Sequence, residues 1–176
     1  GIMLRNTVYD HIHSSDVAKD DYLAVGALDQ RMKIFSRQEG TLSKLDGDTS
    51  LSIPAADVSY TLSVKRTSGI YTIAIDDYSI IQQYTSPVTY IGLFTARNAS
   101  VTFTNTSLQF EEDHIPIPEL QFYAFGGNTS AEKNPEPLQT ENGYVLEASG
   151  GKIASGDEGL SLLSYQLPLQ TNFTLK

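Results

Sequence analysis

Residues 90–110, Tyr-Ile-Gly-Leu-Phe-Thr-Ala-Arg-Asn-Ala-Ser-Val-Thr-Phe-Thr-Asn-Thr-Ser-Leu-Gln-Phe, hold two strand-length runs of β-branched and aromatic residues hinged at 97–100. Stiff, branched side chains of this kind fit a pleated, half-buried surface better than a helix. The same short-period alternation of apolar and polar residues recurs along the chain, whereas no window supports a long helix. It predicts strands over 2–5, 22–28, 33–37, 51–53, 59–67, 70–76, 78–84, 90–97 and 101–110, and then over 120–125, 144–148, 152–155, 160–167 and 173–176. The expected fold is all-β, a two-sheet antiparallel β-sandwich.

Turn chemistry falls between these runs. Thr67-Ser-Gly-Ile reads as a tight hairpin in which Gly69 supplies a positive φ, and Asp76-Asp-Tyr supplies the next turn. The sharpest break is Glu111-Glu-Asp-His-Ile-Pro-Ile-Pro-Glu, where three acids precede prolines that cannot donate to a ladder. Three segments follow: a main sandwich segment over 1–110, an acidic, proline-containing linker over 111–119, and a segment over 120–176. The last, too short to bury a core alone, is expected to complete the same sandwich or to begin a following repeat.

Composition removes several function classes. With no cysteine, neither a disulfide frame nor a thiolate zinc site is available. Twelve basic residues are scattered among 21 acids, and a net charge of −9 repels a polyanion, so no nucleic-acid partner is expected. No apolar run approaches the ~20 residues that span a bilayer. Residues 1–5 lack the shape of a signal peptide, so any export signal is expected outside this sequence.

The residues that can carry chemistry suit binding. Ten tyrosines offer flat apolar rings with polar tips, a combination that stacks on the C–H face of a sugar ring. Each also suits the half-buried edge of a sheet. Arginines stand at 5, 31, 37, 66 and 97, and Arg5, Arg37 and Arg97 each close a strand run. Their planar forks grip carboxylates or vicinal hydroxyls, or else pair with one of the 21 acids. Alternation puts Ile91, Leu93, Thr95 and Arg97 on one face, which is either groove or core.

His11 and His13 lie close together, with His114 far off, and no third zinc ligand is evident. Two acidic loops offer oxygens to calcium through Asp46, Asp48, Asp157 and Glu158, without the EF-hand pattern. No cofactor is required, and a structural calcium is the one metal left open. For hydrolysis two carboxylates must oppose each other across a groove; Asp76, Asp77, Glu141 and Glu147 carry no such signature, and no nucleophile elbow or phosphate loop appears.

Several co-ordered strings resemble a known family. Ile91-Gly-Leu-Phe-Thr-Ala-Arg-Asn-Ala-Ser-Val-Thr-Phe-Thr-Asn is similar to the closing strands of concanavalin-A-like (laminin-G-like) jelly-roll modules of secreted Gram-positive polysaccharide lyases of the pectate-lyase type. Gly1-Ile-Met-Leu-Arg, Ala24-Val-Gly-Ala-Leu and Phe35-Ser-Arg look like the middle strands. Phe125-Gly-Gly-Asn-Thr-Ser, Asn134-Pro-Glu-Pro, Glu147-Ala-Ser-Gly-Gly-Lys-Ile-Ala-Ser-Gly-Asp-Glu-Gly-Leu-Ser and Asn172-Phe-Thr-Leu-Lys look like its opening strands. The two halves thus stand in reversed order. That order implies a circular permutation, a repeat boundary or a parent sequence of which part is missing. If the halves close on each other, Lys176 and Gly1 should share a sheet; if they belong to successive repeats, strand exchange with a second copy is expected.

The resemblance implies a jelly roll and a non-catalytic carbohydrate-binding module that attaches an extracellular or cell-surface polysaccharide-degrading enzyme to plant-wall or bacterial polysaccharide, an acidic one by the arginines. It implies binding on a concave sheet, where Arg5, Arg37 and Arg97 flanked by Tyr22, Tyr71 and Tyr90 are the expected ligand contacts. The chain itself is expected not to be an enzyme. The alternative is a structural or adhesin β-sandwich domain of a cell-surface protein, and behind it a small lyase or hydrolase.

Overall fold

Alternation becomes register in the computed structural model, which describes residues 1–8, 20–28, 31–45, 59–126, 134–149, 153, 159–168 and 171–176. Every regular element among them is a strand. In chain order these are β1 (Ile2–Arg5), β2 (Tyr22–Leu28), β3 (Arg31–Gln38), β4 (Thr41–Leu45), β5 (Leu62–Thr67), β6 (Ile70–Ile75), β7 (Tyr78–Gln83) and β8 (Tyr90–Ala96). There follow β9 (Ala99–Thr104), β10 (Leu108–Phe110), β11 (Leu120–Gly126), β12 (Leu138–Thr140), β13 (Gly143–Ala148), β14 (Gly159–Gln166) and β15 (Phe173–Leu175).

Three antiparallel sheets result. A seven-stranded sheet runs β11-β14-β8-β1-β2-β3-β4, a five-stranded sheet β10-β15-β5-β6-β7, and a small sheet β12-β13-β9. The core lies where the two large sheets turn their apolar faces to each other. Ile2, Leu4, Leu23, Val25, Ile91 and Leu93 enter it from one, and Val64, Ile73, Ile75, Phe173 and Leu175 from the other. Side chains two apart share a face, so each strand contributes every second residue. Burying each such side chain is worth about 1.5–3 kcal/mol.

The hairpins obey the backbone. Ser68 and Gly69 both take positive φ (50° and 81°), the two-residue turn that matches the twist of β5 and β6. Glu39 and Gly40 do the same (51° and 74°) between β3 and β4, a hairpin absent from the predicted strands. Glutamate is an unusual first residue for such a turn, and the alternation in β4 is short.

Four further expectations are corrected. The run 101–110 is not continuous: Asn105 takes φ 54°, and the chain crosses from β9 in the small sheet to β10 in the five-stranded one. The strand expected from residue 59 begins at Leu62. Beyond the two expected sheets there is a third, to which β12, also unpredicted, belongs. Lys176 and Gly1 do not share a sheet. β1 lies within the seven-stranded sheet, while β15, whose Phe173 and Leu175 point into the core, lies between β5 and β10 in the other. The strands expected over 51–53 and most of 152–155 lie outside the described residues.

Strands from before and after the 111–119 segment share the large sheets. β14 pairs with β8 over Leu160↔Ala96 to Gln166↔Tyr90, and β15 pairs with β5 on one side and β10 on the other. Glu111 accepts from Asn172 Nδ2 at 2.9 Å and ion-pairs with Lys65 at 3.6 Å.

Candidate ligand-binding face

The register settles which side chains stand on the outer face of the seven-stranded sheet. Cross-strand partners share a face. Tyr90 is opposite both Arg5 and Gln166, Arg5 opposite Tyr22, and Tyr22 opposite Arg37. Towards the β11 edge, Gln121 pairs with Ser164, Tyr123 with Leu162, and Phe125 with Leu160. The face therefore has an apolar end, with Met3, Phe94, Phe125, Leu160 and Leu162 buried, and an end rich in tyrosine and amide groups.

Across its middle runs a stack of rings and guanidiniums. Arg5 Cζ lies 4.8 Å from the centre of the Phe125 ring and 5.6 Å from that of Tyr22, and Arg37 Cζ lies 5.2 Å from Tyr22 on its own account. Three strand steps separate β11 from β1, roughly 14 Å at the usual spacing. A ring on one meets a guanidinium on the other only because the sheet curls towards this face. Arg5 is held further by Nε donation to Thr7 O at 3.1 Å and by Asp20.

These contacts take Arg5, Tyr22 and Arg37 out of solvent, with exposures of 0%, 0% and 4%. Desolvating a guanidinium is tolerable because π faces and hydrogen-bond acceptors replace its water. The three residues form the floor of the curled face and hold its shape.

The reachable groups lie beside that floor. Tyr90 and Tyr123 are half-buried and meet edge to face, with centroids 6.3 Å apart and planes at 73°. The Tyr123 hydroxyl donates to Gln121 Oε1 at 2.6 Å, which fixes the amide's orientation. Gln121 and Gln166 are exposed, and between them Ser164 Oγ is buried with no hydrogen-bond partner. Two rings of fixed angle flanked by amides offer apolar contact and paired donors and acceptors together.

Of the six residues expected to contact ligand, Arg5, Tyr22, Arg37 and Tyr90 come together on this face. Tyr71 stands on β6 and points inward to the core. Arg97 has left the strand: it is exposed in the turn after β8 at φ 64°, so the alternation that put it with Thr95 stops one residue short. Tyr123, Gln121, Gln166 and Ser164 were not singled out. The alternation in Gln-Phe-Tyr and Ser-Tyr-Gln does put each pair on one face of its strand, but only pairing through β14 brings them to Tyr90.

The calcium candidates Asp46, Asp48, Asp157 and Glu158 lie outside the described residues, as do His11 and His13. His114 is exposed, with Nε2 3.6 Å from Glu112. Among the described residues, no three His, Cys, Asp or Glu side chains are grouped to hold a metal ion. Nor is any helix among them long and apolar enough to cross a membrane.

A face of this make is what a relative must be weighed against. Over 70 residues the chain is 43% identical to pectate lyase L of Thermoclostridium stercorarium. The match covers 38% of this chain and 6% of the lyase, so the chain spans a small part of that protein's length. It is a partial relative. No protein-family profile matches the chain, and no solved structure does.

Proposed function

We propose that this chain is a non-catalytic carbohydrate-binding module of the concanavalin-A-like jelly-roll type, which holds an extracellular polysaccharide-degrading enzyme on plant-wall or bacterial polysaccharide. The observation that carries the reading is the Tyr90–Tyr123 pair, set at a fixed angle between the exposed amides of Gln121 and Gln166 on a curled sheet. Sugar rings present apolar C–H faces edged by hydroxyls, and such a face answers both.

Kinship to a small part of a pectate lyase supports an accessory role beside catalytic machinery, and pectin-like polymers as ligands. Pairing of β14 with β8 and of β15 with β5 supports the two segments forming one module in reversed order. A single face of this kind binds weakly, and repetition along a parent protein supplies avidity.

The test is affinity electrophoresis through gels containing polygalacturonate, xylan or levan, comparing the folded chain with a Tyr90→Ala/Tyr123→Ala variant shown by circular dichroism to keep its β signal. Retardation on at least one polymer, lost in the variant, is the expected result. Free migration of the folded wild type on all three overturns the proposal.

A further inference from the structure

At one end of the sandwich, where the two large sheets part, a cleft of about 450 Å³ opens between the β5–β6 hairpin and the loops that precede β8 and follow β14. It is built from different residues than the outer face. Tyr71 and Tyr84 meet edge to face at 6.0 Å and 78°, and Pro87, Pro168 and Phe173 complete the apolar wall. Its charged group is Arg66, which stands at the last inward position of β5, opposite Tyr71 on one side and Phe173 on the other.

Arg66 is half-buried, and its Nη1 donates to Thr171 O at 2.9 Å. Arg66 also hydrogen-bonds the Tyr71 hydroxyl, and a guanidinium carries five N–H donors, more than these two partners use. No carboxylate pairs with Arg66 among the described residues, in a chain with 21 acids and only 12 basic groups. Asp21, near the rim, accepts instead from Ser86 Oγ at 2.6 Å. A half-desolvated cation whose fork faces a cleft and lacks an anion favours a ligand that brings one.

We infer that this cleft is a second binding site, which takes the carboxylate of a single acidic sugar residue on Arg66 and packs the ring against Pro87 and Pro168, the exposed part of its apolar wall. Its volume lies at the small end of ligand pockets, ~300–1,000 Å³, which suits one sugar unit at a chain end better than the side of a polymer. The ligand class rests on the carbohydrate-binding reading, but the site does not share the residues that carry that reading.

The experiment is an amide NMR titration of the folded chain with D-galacturonate, with D-galactose and with the methyl ester of galacturonate, which keeps the ring and removes the charge. Galacturonate should shift Gly69, Thr85, Ser86 and Val88, and bind about tenfold or more tightly than either neutral probe, as expected for a charge-assisted hydrogen bond. Arg66→Gln should abolish that preference and Arg66→Lys retain part of it. Tyr90→Ala/Tyr123→Ala should leave the titration unchanged, so failure of the outer face and failure of the cleft read out separately. Equal shifts from acid and ester, or an unchanged preference in folded Arg66→Gln, overturn the inference. Should Arg66→Gln not fold, the acid–ester comparison on the wild type decides alone.

Discussion

Arg5 Nη2 donates to Asp20 Oδ2 across 3.2 Å, with the arginine side chain wholly excluded from solvent and the aspartate side chain 13% exposed. A buried cation in this position is structural. Arg5→Ala should destabilise the fold by about 3–5 kcal/mol, because it strands the aspartate and empties the space between two rings. Asp20→Asn should cost less, about 1–3 kcal/mol, since Thr7 O still accepts from Arg5. Urea denaturation measures both, and the double variant should lose less than the sum.

Tyr90 and Tyr123 are exposed enough that their loss should weaken ligand retention more than stability. Either single alanine substitution should reduce polysaccharide affinity about 3- to 10-fold, the effect of ~0.5–1.5 kcal/mol per ring contact. Because the rings touch each other, the two losses should not add. Retardation at several polymer concentrations gives the affinities, and a two-variant cycle gives the coupling.

Gly92 is a backbone requirement in the middle of β8. A Cβ there would overlap the Leu163 carbonyl oxygen and lie 2.5 Å from Ser164 Cα on the neighbouring strand. Gly92→Ala should therefore force β8 away from β14 and cost on the order of 3 kcal/mol, comparable to a severe overpacking change. A lowered urea midpoint with an unchanged m-value is the expected signature.

Tyrosine ionisation should set the alkaline limit of the fold. Burial, reinforced by the Asp21 charge and opposed by Ser86, raises the Tyr84 hydroxyl far above its ordinary value of 10.0. Burial raises Tyr60, Tyr71 and Tyr165 as well. Above pH 10 the unfolded chain releases these protons while the folded chain keeps them, so the unfolded state binds fewer protons and stability falls as pH rises. Below pH 10 the contribution is complete. Tyr84→Phe should flatten the loss between pH 10 and 11, read as urea midpoints at each pH.

Strand identity was largely legible in the amino-acid order. Residues 2–5 and 22–28 are β1 and β2 to the residue, because each is a short, near-continuous apolar run of strand length followed by polar residues. The β3–β4 hairpin was not, since its turn begins with a glutamate that the flanking strands force into a left-handed conformation.

The site was legible only in part. Which strands lie side by side is a long-range property, and Tyr123 reaches Tyr90 across β14 through pairings more than 30 residues apart in sequence. Charge misled in another way. Arg5 reads as a surface group; the neighbouring strand β2 supplies Tyr22, the residues leading into it supply Asp20, and the curl of the sheet adds the Phe125 ring, so that it is buried. For Arg97, alternation was extended one residue beyond the point where the backbone turns.

β15, three residues long, lies between β5 and β10 and ties together strands first made some sixty to a hundred positions earlier. During synthesis the five-stranded sheet remains in two pieces until residues 173–175 emerge from the ribosome. Until then the inward faces of Val64 and Leu108 lack their central neighbour Leu175, and both strands keep an unpaired edge of the kind that exposes a folding chain to aggregation.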